Sequence, residues 1–122
     1  MKECSQEITM EKLMQIIDEF CKERDWDQYH SPKELAIGLS TEANELLALF
    51  RFQSDEQIRA MFENQREMIE DEIVDSLFFI LRFASLYDVD LLAALERKMI
   101  MNRKKYPVDL ARGKNIKYTH LK

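Results

Sequence analysis

The sequence predicts an all-α protein, a bundle of four to five helices. Three observations point there. Only 2 Gly and 2 Pro occur in 122 residues, while the good helix formers Leu, Met, Ala, Glu and Lys are abundant. Apolar residues recur at helical spacing in every long segment. Two acidic pairs, Glu42/Glu45 and Glu72/Asp75, each have members three residues apart, a spacing that puts both side chains on one side of a helix. The length suits one domain with a modest core, expected to span residues 1–122 with a tail at 107–122.

Composition excludes several classes. No apolar run approaches the roughly 20 residues of a membrane span, because Arg82 interrupts the longest one. The opening MKECSQEITMEK has no apolar block of the signal-peptide kind. Cys4 and Cys21 make neither a metal-type pair nor a disulfide framework. A reduced, cytoplasmic protein with no membrane partner is therefore expected. The net charge of -5 conceals an asymmetry: residues 1–96 balance to -13 and residues 97–122 to +8. The basic segment either neutralises an acidic body or meets an anion such as phosphate beside the acidic pairs. Nucleic-acid binding is not expected of so acidic a chain.

A first helix is expected over about residues 6–24, where Ile8, Leu13, Ile16, Ile17 and Phe20 recur at helical spacing. The connection ERDWDQYHSPKE holds the single Trp and one of two His. Trp26 and Tyr29 either cap the end of the bundle, or Trp26 and His30 line a pocket for a planar group. Ser31 as N-cap, Pro32 at the first position and Glu34 as capping-box partner start the second helix. Leu35, Leu39, Leu46, Leu49 and Phe50 form its apolar arc, with Glu42 inside the arc and Glu45 on its flank. Phe52, seven residues after Glu45, projects onto nearly the same face, two turns on.

Ser54, followed by Gln57, is a second N-cap, and residues 55–63 form either a short helix or the start of the next. The third long helix runs to about Leu86, with Ile69, Ile73, Leu77, Ile80 and Ala84 on one face. From Leu77 to Phe83 apolar residues surround it, which implies burial by neighbouring helices or a second subunit. Asp88 or Asp90 caps a last helix that Pro107 stops, with Leu91, Leu95, Lys98, Asn102 and Lys105 on one face. Those lysines either lay their stems over the core or contact a phosphate. The tail has Gly113 as a turn and no periodicity.

Four carboxylates beside apolar arcs repel one another and are costly to desolvate unless a cation lies between them. Oxygen ligands alone suit Mg²⁺, which shares its sphere with a phosphate substrate and retains waters. Such a site neutralises a polyphosphate, and a carboxylate outside the coordination sphere can act as general base. Glu63, Glu67 and Glu70 read instead as a solvated face. A di-iron bundle would need Glu-x-x-His on two helices, and no such motif occurs.

Glu42-x-x-Glu45, 26 intervening residues and Glu72-x-x-Asp75 resemble the E-x-x-E…E-x-x-D signature of the MazG-like all-α nucleoside triphosphate pyrophosphohydrolases. Arg24 to Pro32 resembles the stretch before the first acidic motif in the dCTP pyrophosphatase branch, Glu45 to Phe52 its continuation, and Asn102 to Pro107 the closing motif. The likeness covers roughly residues 20–118. It implies Mg²⁺-dependent hydrolysis of a (deoxy)nucleoside triphosphate to the monophosphate and pyrophosphate. By this likeness Glu42, Glu45, Glu72 and Asp75 are catalytic and bind the metal. Trp26, His30 and Phe52 meet the nucleotide, Asn102 and a nearby lysine, Lys105 or Lys98, contact its phosphate or sugar, and Tyr106 helps form the pocket. dCTP or a modified cytosine nucleotide is the implied substrate, in the service of nucleotide-pool sanitation. dUTP, phosphoribosyl-ATP, or nucleotide binding without turnover by a regulatory helical module are the alternatives. Phe52 stands where the branch often has Trp, and Ile17 where some members carry a polar pocket residue. The resemblance also implies a homo-oligomer, a dimer or a dimer of dimers.

Overall fold

A computed structural model describes residues 9–122. It contains six α-helices, α1 (Met10–Glu23), α2 (Pro32–Phe50), α3 (Asp55–Asn64), α4 (Arg66–Leu86), α5 (Leu91–Lys105) and α6 (Val108–Ala111), and no strand among the described residues. The expected start of the first helix near residue 6, Ile8 and Cys4 lie outside them. None of these helices is long and apolar enough to cross a membrane.

The helix starts are local chemistry. Thr9 caps α1 by accepting from the Lys12 N–H at 3.1 Å. Ser31 caps α2 by accepting from the Glu34 N–H at 3.2 Å, with Pro32 inside the first turn. The full capping box is at Ser54, which accepts from the Gln57 N–H while its own N–H donates to the Gln57 side chain at 2.7 Å. Residues 55–64 are thus a separate helix, parted from α4 by the single non-helical residue Gln65. Asp90 rather than Asp88 caps α5, accepting from the Ala93 N–H at 3.0 Å. Asp88 instead makes the turn, in the left-handed region at φ 51°.

The chain forms two compact units, one ending at Asp88 and one spanning Val89–Lys122. In the first, α4 is the hub against which α1, α2 and α3 pack. Its core is small: Cys21, Leu35, Ile69, Leu81 and Ala84 are the buried apolar residues, joined by the buried Arg82. The apolar face expected along α4 is only partly covered. Ile69 and Ala84 are buried, but Ile73 is 47% and Ile80 39% exposed. Burial follows where neighbouring helices lie, and no described element covers that part of α4.

In the second unit the tail is tied to α5. The Tyr118 N–H donates to the Tyr106 hydroxyl at 3.2 Å, their rings meet edge to face at 5.9 Å, and the Lys105 ammonium lies 4.9 Å from the Tyr118 ring centroid. Gly113, at φ 74°, makes the turn after α6.

Candidate active site

The site grows from the contact of α2 with α4. Gly38 on α2 lies against the Phe79 ring of α4, where a Cβ would come within 2.4 Å of Phe79 Cε1. One turn after Gly38 comes Glu42, and one turn before Phe79 comes Asp75. The close approach therefore sets the two acidic pairs facing each other.

Glu42, Glu45 and Glu72 each offer a carboxylate oxygen, and these atoms lie within 4.8 Å of one another. Glu42 Oε2 and Glu72 Oε2 are shut off from solvent and have no hydrogen-bond partner among the described residues. Buried polar atoms normally have one. Burial pushes the Glu42 carboxyl above its usual range, followed by the charges of Glu45, Asp75 and Glu72. Burial also raises Glu72, followed by Glu45 and Asp75. The sequence made Glu42 the most deeply placed of the four; Glu72 is as enclosed, because it faces α2 from the hub helix. Glu45 and Asp75 are exposed, and Asp75 stands outside the three-way cluster.

Two orphaned oxygens in a field of like charge call for a positive partner. The donors are all carboxylate oxygens, with no His or Cys among them. That set fits a hard divalent cation such as Mg²⁺.

Beside the cluster is a cavity of about 430 Å³, lined by Ile16, Ile17 and Phe20 from α1, Glu42 from α2, and Val74, Asp75, Phe78 and Phe79 from α4. Its walls are apolar apart from the two carboxylates. The volume lies within the range of small-molecule sites. A slightly larger hollow, about 490 Å³, is lined by charged groups including Glu11, Glu19 and Lys22 and holds neither acidic pair.

The residues expected to meet the nucleotide are distributed unevenly. Trp26 does not line the cavity but stacks edge to face on Phe20, which does, with centroids 5.4 Å apart; His30 lies 6.4 Å from Trp26 on the same basis. Phe52 is apart from this group. Helix α2 ends at Phe50, Phe52 turns into the left-handed region at φ 68°, and its ring is 86% exposed beside Arg51. The projection of Phe52 onto the face of Glu45 therefore fails. Lys98, Asn102 and Lys105 lie on α5 in the second unit, and Tyr106 caps its end. Lys98 is exposed, whereas Asn102 and Lys105 are half-buried.

Sequence reasoning did not single out the polar network centred on Arg82. Its Nε donates to His30 Nδ1 at 3.0 Å and its Nη1 to Asp18 Oδ1 at 2.7 Å. Its Nη2 donates to Asp27 Oδ1, and Ser85 Oγ donates to Asp18 Oδ2. The Tyr87 hydroxyl donates to the His30 carbonyl at 2.9 Å. The available signal was Arg82 itself, one charge inside an otherwise apolar run. Phe78 and Phe79 were equally hidden, since they read as core.

The MazG-like family model matches residues 37–121, from within α2 to near the end of the chain. The chain is 39% identical to dCTP pyrophosphatase 1 of Bos taurus and 36% identical to that of Homo sapiens. Each match runs over 119 residues, 96% of this chain and 70% of the relative. Among solved structures, a pyrophosphatase from Archaeoglobus fulgidus superposes with a TM-score of 0.76 at 34% identity, covering 87% of this chain and 99% of the other.

Proposed function

The chain belongs to the MazG-like family and is a nucleoside triphosphate pyrophosphohydrolase; we propose that its substrate is dCTP or a modified cytosine nucleotide, cleaved to the monophosphate and pyrophosphate with Mg²⁺ in the service of pool sanitation. The observation that carries the reading is the pair of buried oxygens on Glu42 and Glu72 that have no partner among the described residues, with Glu42 also on the wall of an apolar cavity of about 430 Å³.

Glu42, Glu45 and Glu72 hold the metal, and Asp75, on the cavity rim, adds the fourth carboxylate. A bound Mg²⁺ supplies charge neutralisation for the polyphosphate and Lewis acidity. A carboxylate of the set that is not engaged in ligation accepts the proton of the attacking water. The walls built by Ile16, Ile17, Phe20, Phe78 and Phe79 take the base and keep water from it. The Phe20–Trp26–His30 chain of rings backs that wall. By the family likeness alone, Asn102 with Lys105 or Lys98 would contact phosphate or sugar, Tyr106 would help form the pocket, and Phe52 would contact the base. A homo-oligomer, the dimer or dimer of dimers, covers the open face of α4.

The test is a panel of triphosphates (dCTP, 5-substituted dCTP, dUTP, dATP, dGTP and phosphoribosyl-ATP) with Mg²⁺ titrated from zero. Release of pyrophosphate, greatest with a cytosine nucleotide, is the expected result. Release of single phosphate would overturn the α–β cleavage, and binding without turnover would favour the regulatory module. Glu45→Gln should lower turnover by two orders of magnitude or more, about the scale lost with a key electrostatic group, while far-ultraviolet circular dichroism stays helical. Full activity of that variant would remove Glu45 from the site.

A further inference from the structure

We propose that Arg82 is a positioning residue for the nucleotide cavity, a buried three-way clamp that sets the spacing of α1 from α4 and seats the Trp26-bearing connector on the cavity wall. This rests on the cavity being the nucleotide site. Arg82 is 2% exposed, yet it stands seven residues after Asp75, two turns along α4. Phe78 and Phe79, which line the cavity, lie one turn before it.

Its three donors reach three places. Asp18 is on α1, directly after Ile16 and Ile17 and half a turn before Phe20, so the Arg82–Asp18 pair fixes the helix that supplies one whole wall. Asp27 opens the single 3₁₀ turn of the connector, next to Trp26. His30 closes that turn, and its Nδ1 accepts from Arg82 Nε. An acceptor at Nδ1 fixes the neutral imidazole with its proton on Nε2. Ser85, one turn further along α4 than Leu81, holds the other oxygen of Asp18. Buried Cys21 packs among these groups as the apolar floor.

The physical case is geometric. A guanidinium presents its donors in a rigid planar fork, so three segments that meet it have one mutual arrangement. An ion pair on the surface contributes little; this one has its cation fully buried while Asp18 and Asp27 remain partly exposed at 35% and 56%. A merely stabilising contact would not need to join the connector to both helices. Lysine cannot replace it, having one nitrogen where three directions are used.

The experiment uses two variants and the single tryptophan as reporter. Arg82→Lys keeps the charge and loses the fork. Asp27→Asn weakens only the connector arm and leaves no charge buried alone. Acrylamide quenching of Trp26 fluorescence is measured without nucleotide, and KM and kcat are measured for the triphosphate that the wild type turns over best. In both variants quenching should rise by about twofold. KM should rise about tenfold with kcat within about twofold, the signature of lost binding rather than lost chemistry. Unchanged quenching and KM, with only a lower melting temperature, would reduce Arg82 to a stabilising contact and overturn the proposal. A fall in kcat at constant KM would also overturn it, placing Arg82 in the chemical step. If Arg82→Lys does not fold, Asp27→Asn decides by the same two readings. If the wild type turns over no triphosphate, the proposed function fails on its own, and the quenching comparison alone then supports or overturns the clamp.

Discussion

Glu42 and Glu72 each keep one oxygen away from solvent and from any donor among the described residues, so the fold carries electrostatic strain at the acidic cluster. The pH consequence follows from the direction of the shifts. Both carboxyls have raised pKa values in the folded chain, from the ordinary 4.5. The native state therefore binds more protons than the unfolded state between that value and the raised one. The penalty is absent below about 4.5, grows as pH rises through the raised values, and is complete above them. Glu42→Gln removes one of the repelling charges. In chelator the variant should melt a few degrees above wild type at neutral pH, and this gap should close on acidification toward the ordinary carboxyl value of 4.5. With Mg²⁺ added the order should reverse, because only the wild type keeps all its ligands. A variant that melts below wild type in chelator would mean that Glu42 is stabilising without metal. His30 shifts the opposite way. Burial, with the Arg82 charge next, lowers its pKa, which favours the neutral ring seen hydrogen-bonded to Arg82.

At the scale of elements, the α2–α4 crossing carries the site, and Gly38 is its contact point. Replacing a helical Gly by Ala ordinarily stabilises by about 1 kcal/mol. Here the added methyl would overlap the Phe79 ring, and overpacking of this kind costs about 1–3 kcal/mol. Gly38→Ala should therefore lower the melting temperature or leave it unchanged, rather than raise it. Its Phe79 ring should move toward the cavity, visible as a raised KM. A clear gain in melting temperature with KM unchanged would show that the ring has room to swing aside. Helix starts were legible from the chain because a cap is a local hydrogen bond: Ser31, Ser54 and Asp90 all do what their residue types suggest. The break at Gln65 was not, since neither Gly nor Pro marks it. The end of α2 was missed for the same reason, and with it the place of Phe52.

At the scale of the molecule, five apolar residues are buried among those described, few for a chain of this length. Ile73 and Ile80 lie two turns apart on one side of α4 and remain partly open. Alongside the all-round apolar stretch of α4, this supports an assembly of copies of the chain. Sedimentation at micromolar concentration should give a mass that is a multiple of 14.6 kDa. Ile73→Lys combined with Ile80→Lys should shift it toward the single-chain mass. A wild-type mass of 14.6 kDa would refute the assembly.

The all-α class, the caps at Ser31 and Ser54 and the two acidic pairs were determined by the sequence alone, because periodicity, capping and a three-residue spacing are properties of neighbours along a chain. That Glu72 is as enclosed as Glu42, that Phe78, Phe79 and Phe20 wall a cavity rather than fill a core, and that Arg82 joins α1 and α4 to the connector were decided only by the tertiary structure. An apolar side chain looks the same in a sequence whether it faces another helix or a gap between two. Likewise, one arginine in an apolar run does not reveal which distant carboxylates will surround it. Those outcomes depend on which helices cross and how closely, and here the crossing passes over a single glycine.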